Sequence, residues 1–465
     1  MERDGIMPTE KNFRHGHRER VRERFLREGL SSFADYEVLE LLLFYAIPRR
    51  DTKGQAHALD DTFGSLYQTL TASEEELCRV TGIGERTARF LRSILPFLEY
   101  VAKEEPHAKS CPDHRSLANR IYPYLERGVK ESSLVAFLNN CDEIICIHSL
   151  GKGKCLTNIS TEELIALAFS YRASSLVMVD YKKNGIPFPS DSAMAGMHEL
   201  RNVLSPIGIH VRDYLTFTDN QYGSLFFLTG DRQFRASPFF LSEEVLKMPP
   251  FPVAAADKLT DILTFVTTEE KARAFSERLL KKYNTLEALL SLPYQTLLAE
   301  NEKEAAEVLY LKILFEVHSR AWLSRIRKEQ AYYTSAKEIG RMFSNAIGLN
   351  SEERIALAMF DKDLRLIDIV LCSQGTVNNA SFVLRNLIEV AYPYKPAFVA
   401  LAHNHPGGMT VPSTADTMIT TEVSHGFQQA RIQFIDHFVV TSTGHTCVSR
   451  LGLEQYSDMP DSFFE

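Results

Sequence analysis

The sequence lacks long hydrophobic runs, an excess of positive charge and paired cysteines. Its longest apolar stretches have the length of a β-strand, far short of the roughly 20 residues that a membrane helix needs. The start, MERDGIMPTEKNFRHGHRERVRERF, has no apolar run, so we expect no signal peptide. A net charge of −8 gives no general attraction to nucleic acid. The seven cysteines form no CxxC pair, which favours reduced thiols in a cytoplasmic protein without membrane contact.

What the sequence does contain is a copy of itself. Its 465 residues are enough for two to four domains, and two halves match at an offset of about 220 residues. Four matches carry this interpretation: 411–413 with 188–190, 436–437 with 213–214, 360–361 with 138–139, and 283–297 with 63–77. In each half a helical stretch precedes strand-length apolar runs. The chain is therefore predicted to be a tandem repeat of a helical module and an α/β module.

Residues 403–416, HNHPGGMTVPSTAD, hold a predicted metal site. His403 and His405 leave a strand two residues apart, and Asp416 follows on the next helix. Two imidazoles and one carboxylate suit zinc, with a fourth position left for water. Zinc would lower the pKa of that water to about 7. Two alternatives are loop histidines beside a helix-capping Asp416, and the HNH nuclease motif, whose residues are spread over a ββα fold rather than contiguous.

These residues resemble the JAB/JAMM (MPN+) metalloprotease signature, a distant Glu followed by H-[ST]-H-x7-S-x2-D. Asn404 departs from the Ser or Thr of the deubiquitinase branch, but HNHP is the form of the RadC-like bacterial branch. Four further segments are similar to RadC-like proteins: GHRERVRERF (16–25), TGIGERTA (81–88), GTVNNASFV (375–383) and IDHFVV (435–440). The resemblance implies an α/β fold of two repeats, each with a helix–hairpin–helix-like module followed by a JAB/MPN mixed sheet flanked by helices.

The resemblance also assigns roles within the second repeat. The family's general base is a Glu that opens the first sheet strand, which corresponds to Glu353, with the adjacent Glu352 as the alternative. Because neighbouring strand residues point to opposite faces, only one of the two can serve. Glu353 would take a proton from water and pass it to the leaving amine. Ser413 would bind the oxyanion of the reaction, or cap the helix that follows.

The first repeat lacks the metal set. At the offset of 223, Asp180 replaces His403, Lys182 replaces His405 and Ala193 replaces Asp416. Glu131 corresponds to Glu353, but without a metal it has no activated water to deprotonate. We therefore predict one zinc ion per chain and an inactive first α/β module.

A second motif points to nucleic acid. In VTGIGERTARFL (80–91) two glycines, Gly82 and Gly84, would let a tight turn present backbone amides to a phosphate. Arg86 and Arg89, with Arg18 and Arg22 of the basic N-terminal stretch, would contact further phosphates without sequence preference. An ordinary helix–helix turn and a solvated helical face are the alternatives. In the second repeat, Glu302 and Glu304 replace the glycines and would repel phosphate.

Together these features predict a cytoplasmic zinc metallohydrolase of RadC/JAMM type that cleaves a peptide or isopeptide bond in a peptide or protein and associates non-specifically with DNA through its first repeat. A DNA-binding accessory or repair-associated protein is the alternative. A metal-dependent nuclease is a third, but one zinc with one carboxylate base fits acyl chemistry better than a two-metal clamp. The predicted segments are a basic arm (1–28), a helical module (29–110), a degenerate JAB module (111–235), a linker (236–256), a degenerate helical module (257–330), the zinc module (331–455) and a tail (456–465).

Overall fold

The computed structural model describes residues 10–30, 32–48, 50–103, 111–126, 129–139, 142–152, 159–225, 238–249, 251–350, 353–372, 380–406, 410–450 and 459–464. Within these ranges the backbone forms two compact units. The first combines residues 1–103 with 306–406 and 410–465, and the second spans 104–305. Each unit therefore contains helical residues of one repeat and the sheet of the other repeat. The matching offset alone does not predict this exchange, because it shows which segments are alike and not which ones pack together.

The first unit is built from ten helices and one five-stranded sheet in its described residues. The helices are α1 (Glu10–Glu28), α2 (Asp35–Ala46), α3 (Lys53–Phe63), α4 (Leu66–Thr71), α5 (Glu74–Cys78), α6 (Glu85–Lys103), α15 (Ala305–Glu329), α16 (Ala336–Ile347), α17 (Ala380–Ala391) and α18 (Thr414–Gln429). The strands are β7 (Ile355–Phe360), β8 (Leu366–Cys372), β9 (Phe398–Asn404), β10 (Gln433–Val440) and β11 (His445–Cys447). Their order is β11-β10-β9-β7-β8, with β9 and β10 parallel.

The second unit holds a six-stranded sheet and the remaining helices. Its strands are β1 (Glu131–Leu138), β2 (Ile144–Lys152), β3 (Ser175–Lys182), β4 (His210–Phe217), β5 (Gln221–Ser224) and β6 (Phe239–Phe240). Their order is β2-β1-β3-β4-β5-β6, with β3 and β4 parallel. The helices are α7 (His114–Ile121), α8 (Thr161–Ser170), α9 (Asp191–Leu204), α10 (Glu243–Leu246), α11 (Val253–Leu263), α12 (Glu269–Leu280), α13 (Leu286–Ser291) and α14 (Tyr294–Glu300).

The two sheets share one topology, which confirms the predicted mixed α/β fold. Strands β3 and β9 begin 223 residues apart, as do β4 and β10, and so do helices α9 and α18. In each sheet the first strand pairs antiparallel with two neighbours. One of these neighbours then pairs parallel with the next strand. The five-strand order of one sheet therefore recurs in the other, with β6 added at one edge.

In the five-stranded sheet, the side chains of the central strands alternate between two hydrophobic cores, one on each face. Ala356, Ala358 and Phe360 of β7 pack on the face covered by α15 and α16. Leu357 and Met359 pack on the opposite face, against α17 and α18. Because successive side chains of a strand point to opposite faces, the odd-numbered residues of β7 belong to the α18 side.

The predicted linker at 236–256 needs correction. Its described residues include β6, α10 and the beginning of α11, and Leu241 and Val245 are buried in the core of the first sheet. Two of the prolines that suggested a linker directly precede these elements, where a missing N–H costs little: Pro238 precedes β6 and Pro252 precedes α11.

None of the helices in the described ranges is long and apolar enough to cross a membrane.

Candidate metal centre

The end of strand β9 places two histidines beside the N-terminus of α18. His403 pairs with Ile355 of β7 and with Val439 of β10, so it stands on the odd-numbered face that α18 covers. It is 3% exposed. The chain continues to His405, whose backbone N–H donates to the Val440 carbonyl at 3.0 Å. That bond keeps the chain extended past the strand and brings both rings to the same place.

The structure brings His403, His405 and Asp416 together. One ligand atom from each lies within 4.8 Å of the other two. The His403 Nε2 atom is 2.9 Å from His405 Nε2 and 3.3 Å from Asp416 Oδ1. Burial lowers the pKa of His403, against the opposing effect of the Asp416 carboxylate, so this imidazole is neutral near pH 7. Two imidazole nitrogens and a carboxylate oxygen around one point form a donor set that fits zinc.

The carboxylate of Asp416 is held by the residue that caps its helix. Ser413 donates to Asp416 Oδ2 through its backbone N–H at 2.6 Å and through its hydroxyl at 2.7 Å. Asp416 N–H returns a bond to Ser413 Oγ at 3.2 Å, which completes a capping box. With Oδ2 engaged in this way, Oδ1 faces His403. The hydroxyl proton of Ser413 is therefore directed at a ligand carboxylate, and Ser413 would have to turn away from Asp416 to bind an oxyanion.

Glu353 precedes β7 on the same face as His403. Its place two residues before Ile355, the partner of His403, sets it opposite His405. Removal from water raises the pKa of Glu353, while the nearby His405 lowers it and Asp416 raises it further. These couplings indicate that the carboxyl lies close to the candidate ligands. Glu352, the alternative base, lies outside the described residues.

Asn404 of β9 is hydrogen-bonded to the segment that precedes β7. Arg354 N–H donates to Asn404 Oδ1 at 2.7 Å, and the Asn404 side-chain amide donates to the Asn350 carbonyl at 2.9 Å. Asn404 is fully buried. The asparagine that departs from the deubiquitinase signature therefore connects the strand that follows the candidate base to the strand of the candidate ligands.

Sequence reasoning gave no role to His437, which lies next to His403 on β10. Its Nε2 is 2.7 Å from His403 Nδ1, and its Nδ1 is 2.7 Å from Thr420 Oγ1. Thr420 in turn donates to the Asp416 carbonyl at 2.6 Å. A histidine inside the apolar strand IDHFVV was the available signal, since a buried imidazole needs partners.

The equivalent place in the first repeat contains a different polar cluster. Both carboxylate oxygens of Asp180 accept hydroxyl bonds, one from Ser133 and one from Tyr214. Lys182 lies at the position of His405 and pairs across the strands with Glu131. Among the described residues this location contains no His–His–Asp cluster.

The glycine hairpin is exposed at Gly82 and Gly84. Gly82 adopts a φ of +86°, a value that favours glycine, and it leads through buried Ile83 into α6. A Cβ built on Gly84 would meet no atom within 4 Å, so the turn is open at that residue. Arg86 is exposed, while Arg89 lies 3.6 Å from Glu74 and 3.5 Å from Glu85.

The arginines of the basic stretch contact the protein itself. Arg18 donates to the carbonyls of Phe44 at 3.1 Å and Ile47 at 2.8 Å, at the end of α2. It also donates to the Arg50 carbonyl. Arg22 lies over the Tyr45 ring and 3.8 Å from Glu19. In the structure this guanidinium satisfies carbonyls that the helix end leaves without partners, and its phosphate contact stays a prediction.

The comparisons with known proteins agree with this geometry. The sequence profile of the RadC-like JAB domain matches the chain twice, at residues 112–230 and 333–453. The chain belongs to the RadC-like JAB domain family. A UPF0758 protein of Fusobacterium nucleatum is 29% identical over 218 residues, which cover 45% of this chain and 94% of that protein. A UPF0758 protein of Ruegeria pomeroyi is 29% identical over 201 residues, 43% of this chain and 90% of its own length.

These RadC-like relatives are matched almost whole by less than half of this chain. A UPF0758 protein of Rhodobacter capsulatus shows the same relation, with 29% identity over 197 residues, 42% of this chain and 92% of that protein. One relative is thus about as long as one repeat, as expected if this chain contains two copies of a RadC-like unit.

Proposed function

We propose that the second repeat is a zinc-dependent hydrolase of peptide or isopeptide bonds. The observation that carries the proposal is the convergence of His403, His405 and Asp416, with ligand atoms within 4.8 Å of one another, on the face of the sheet where Glu353 lies. Zinc held by this set would supply Lewis-acid activation of water near neutral pH.

The protein's own residues supply the proton transfers of this reaction. Glu353 accepts a proton from the attacking water, whose oxygen adds to the carbonyl carbon of the substrate. The C–N bond then breaks, and Glu353 returns the proton to the departing amine. A raised pKa suits both steps, because the carboxylate is a stronger base and its protonated form still gives the proton up near neutral pH.

Metal analysis of the full chain tests the proposal. We expect one zinc ion per purified chain, lost in His403→Ala and Asp416→Ala. Asp180→Ala is the matched control, since it changes the equivalent position of the first repeat and should leave the zinc content at one. A wild-type chain that takes up no zinc, or two zinc ions per chain, would contradict the proposal.

Non-specific DNA association of the first repeat is the second candidate. The open turn at Gly84 favours it, because backbone amides at the start of the 19-residue helix α6 can approach a phosphate there. Exposed Arg86 lies one residue inside that helix. In the second repeat the equivalent turn is a 3-10 helix from Glu302 to Glu304, and Arg278 pairs with Glu304 at 3.0 Å.

A further inference from the structure

A chain of hydrogen bonds leads away from the candidate metal centre into the core. It connects His403, His437 and Thr420, and it ends at the backbone carbonyl of Asp416. All three side chains are buried, with His403 and His437 each 3% exposed and Thr420 fully buried. This series of hydrogen bonds ends at a backbone carbonyl and not at a carboxylate, so it adds no negative charge to the site.

The end of the chain determines the direction of every bond in it. A backbone carbonyl can only accept, so Thr420 uses its one hydroxyl proton on Asp416. Thr420 Oγ1 must then accept from His437, whose Nδ1 therefore carries a proton. A buried imidazole between two neutral partners is neutral, and its Nε2 has a lone pair. That lone pair accepts from His403 Nδ1–H, which leaves the Nε2 of His403 without a proton.

We propose that His437 and Thr420 are positioning residues that fix the tautomer of His403, so that its Nε2 lone pair faces His405 and Asp416. This inference rests on the proposed zinc site. Metal-binding histidines usually donate their second N–H to an acceptor, which sets the ring's orientation. Here the acceptor is a second, neutral histidine from the neighbouring parallel strand.

The first repeat shows the opposite arrangement at the same place. Tyr214 occupies the position of His437 and donates its hydroxyl proton to Asp180, the counterpart of His403. Both repeats therefore satisfy a polar pair between two parallel strands, but in the first repeat the residue at this position is a donor, Tyr214, and in the second it is an acceptor, His437. In the first repeat a buried tyrosine occupies this position of the strand.

Zinc affinity of the full chain, measured by competition with a chromophoric chelator, tests the role of His437. His437→Tyr replaces an acceptor with a donor and should weaken zinc binding by about 10- to 100-fold. His437→Gln retains an acceptor oxygen and should stay within a few-fold of wild type. Tyr214→His in the first repeat is the matched control and should have no effect. Equal affinities in wild type and His437→Tyr, or equal losses in the tyrosine and glutamine variants, would overturn the proposal.

The tautomer itself can be read without metal. Long-range ¹H–¹⁵N correlation on chain labelled at histidine should show His403 protonated at Nδ1 in wild type and at Nε2 in His437→Tyr. Thermal melting of each variant shows whether the fold is retained. If wild type binds no zinc but has the expected tautomer, the proposed zinc-dependent function is refuted, while the proposed role of His437 and Thr420 is supported. A proton on His403 Nε2 in wild type would refute the proposed role of His437 and Thr420, whatever the zinc content.

Discussion

The strand ends of β3 and β9 occupy equivalent positions in two sheets of one topology, yet they carry different chemistry. At the end of β3, Asp180 is closed off by two hydroxyls. At the end of β9, His403 presents a ring nitrogen to His405 and Asp416. The fold tolerates both because it requires only that the buried polar atoms find partners. A retained JAB fold is therefore no guarantee of a retained metal site.

A structural aspartate makes the contrast sharper, because both repeats keep it. Asp436 accepts from Ser449 and from the N–H of His437. Asp213 accepts in the same way from Ser224 and from the N–H of Tyr214. The residue that organises the β4 and β10 strands is thus unchanged, while its neighbour has changed from histidine to tyrosine or the reverse. The aspartate is the same in both repeats, whereas the adjacent residue, which contacts His403 or Asp180, is not.

Each unit combines segments of both repeats, so such differences have to be measured in the full chain. In the first unit Glu316 of α15 accepts from the Leu30 N–H at 2.8 Å, and Arg320 pairs with Asp35 at 2.8 Å. Residues 250–465 expressed alone would lack these partners from the N-terminal helices. Comparisons of the repeats therefore belong in the full chain, with equivalent positions changed in turn.

The largest expected difference concerns the two equivalent glutamates. Glu353→Gln should lower hydrolysis of a fluorogenic peptide panel by about 10²- to 10⁴-fold, because the amide cannot accept the proton from water. Its zinc content should stay at one, since Glu353 is not a ligand. Glu131→Gln should change neither quantity. An active Glu353→Gln chain beside an inactive Glu352→Gln chain would place the base one residue earlier.

A smaller effect is expected at the hairpin. Gly84→Glu copies the second repeat and puts a carboxylate where a phosphate would bind, while Gly84→Ala adds a Cβ in open space. In the full chain, the first should weaken binding to labelled duplex DNA on the order of tenfold at low salt, and the second should not. Arg22→Ala should have a lesser effect, as one of several cations. Fluorescence anisotropy across a salt series is the measurement.

Normal DNA binding by Gly84→Glu would reduce the hairpin to an ordinary helix turn. Binding that does not weaken with salt would exclude phosphate contacts as its main source. Gly82 is less suitable for this test, because its φ of +86° and the nearby Gln55 side chain would add strain to any substitution.

The difference between what could and could not be predicted follows from distance along the chain. His403, His405 and Asp416 lie within one strand–turn–helix, so their spacing alone brings them together. His437 comes from a neighbouring strand, and its contact depends on the parallel register of β9 and β10. A motif read along the sequence does not contain that register, which explains why the role of His437 was missed.

The same limit applies to Arg18 and to residues 236–256. Arg18 was expected on a solvated or phosphate-binding face, but its partners are carbonyls at the end of another helix, and only tertiary packing places them there. The prolines of 236–256 suggest a linker, yet Leu241 and Val245 between them are buried in the core of the six-stranded sheet. In both cases local composition was correct and the long-range partner was unknown.

A further expected difference, in stability and not in chemistry, lies in the long helices that follow the two hairpins. His318 of α15 corresponds, at the offset of 220, to Leu98 of α6, and both are buried. The Nδ1 atom of His318 finds no hydrogen-bond partner among the described residues. Burial lowers the pKa of His318 to about 4 from its usual 6.5. Between pH 6.5 and about 4, His318 is therefore mostly neutral in the folded chain and mostly protonated in the unfolded chain.

The sign of the pH effect follows directly. Above pH 6.5 His318 is neutral in both states and causes no loss of stability. As the pH falls from 6.5 to 4, the unfolded state gains a proton first, and the free energy of unfolding decreases by up to about 3 kcal/mol. His318→Leu copies the first repeat and should remove this loss. Urea unfolding of the full chain at pH 7.5 and 4.5 should thus separate the variant from wild type mainly at the lower pH. The exposed His425→Leu is the control, and an equal difference at both pH values would show that His318 acts by packing alone.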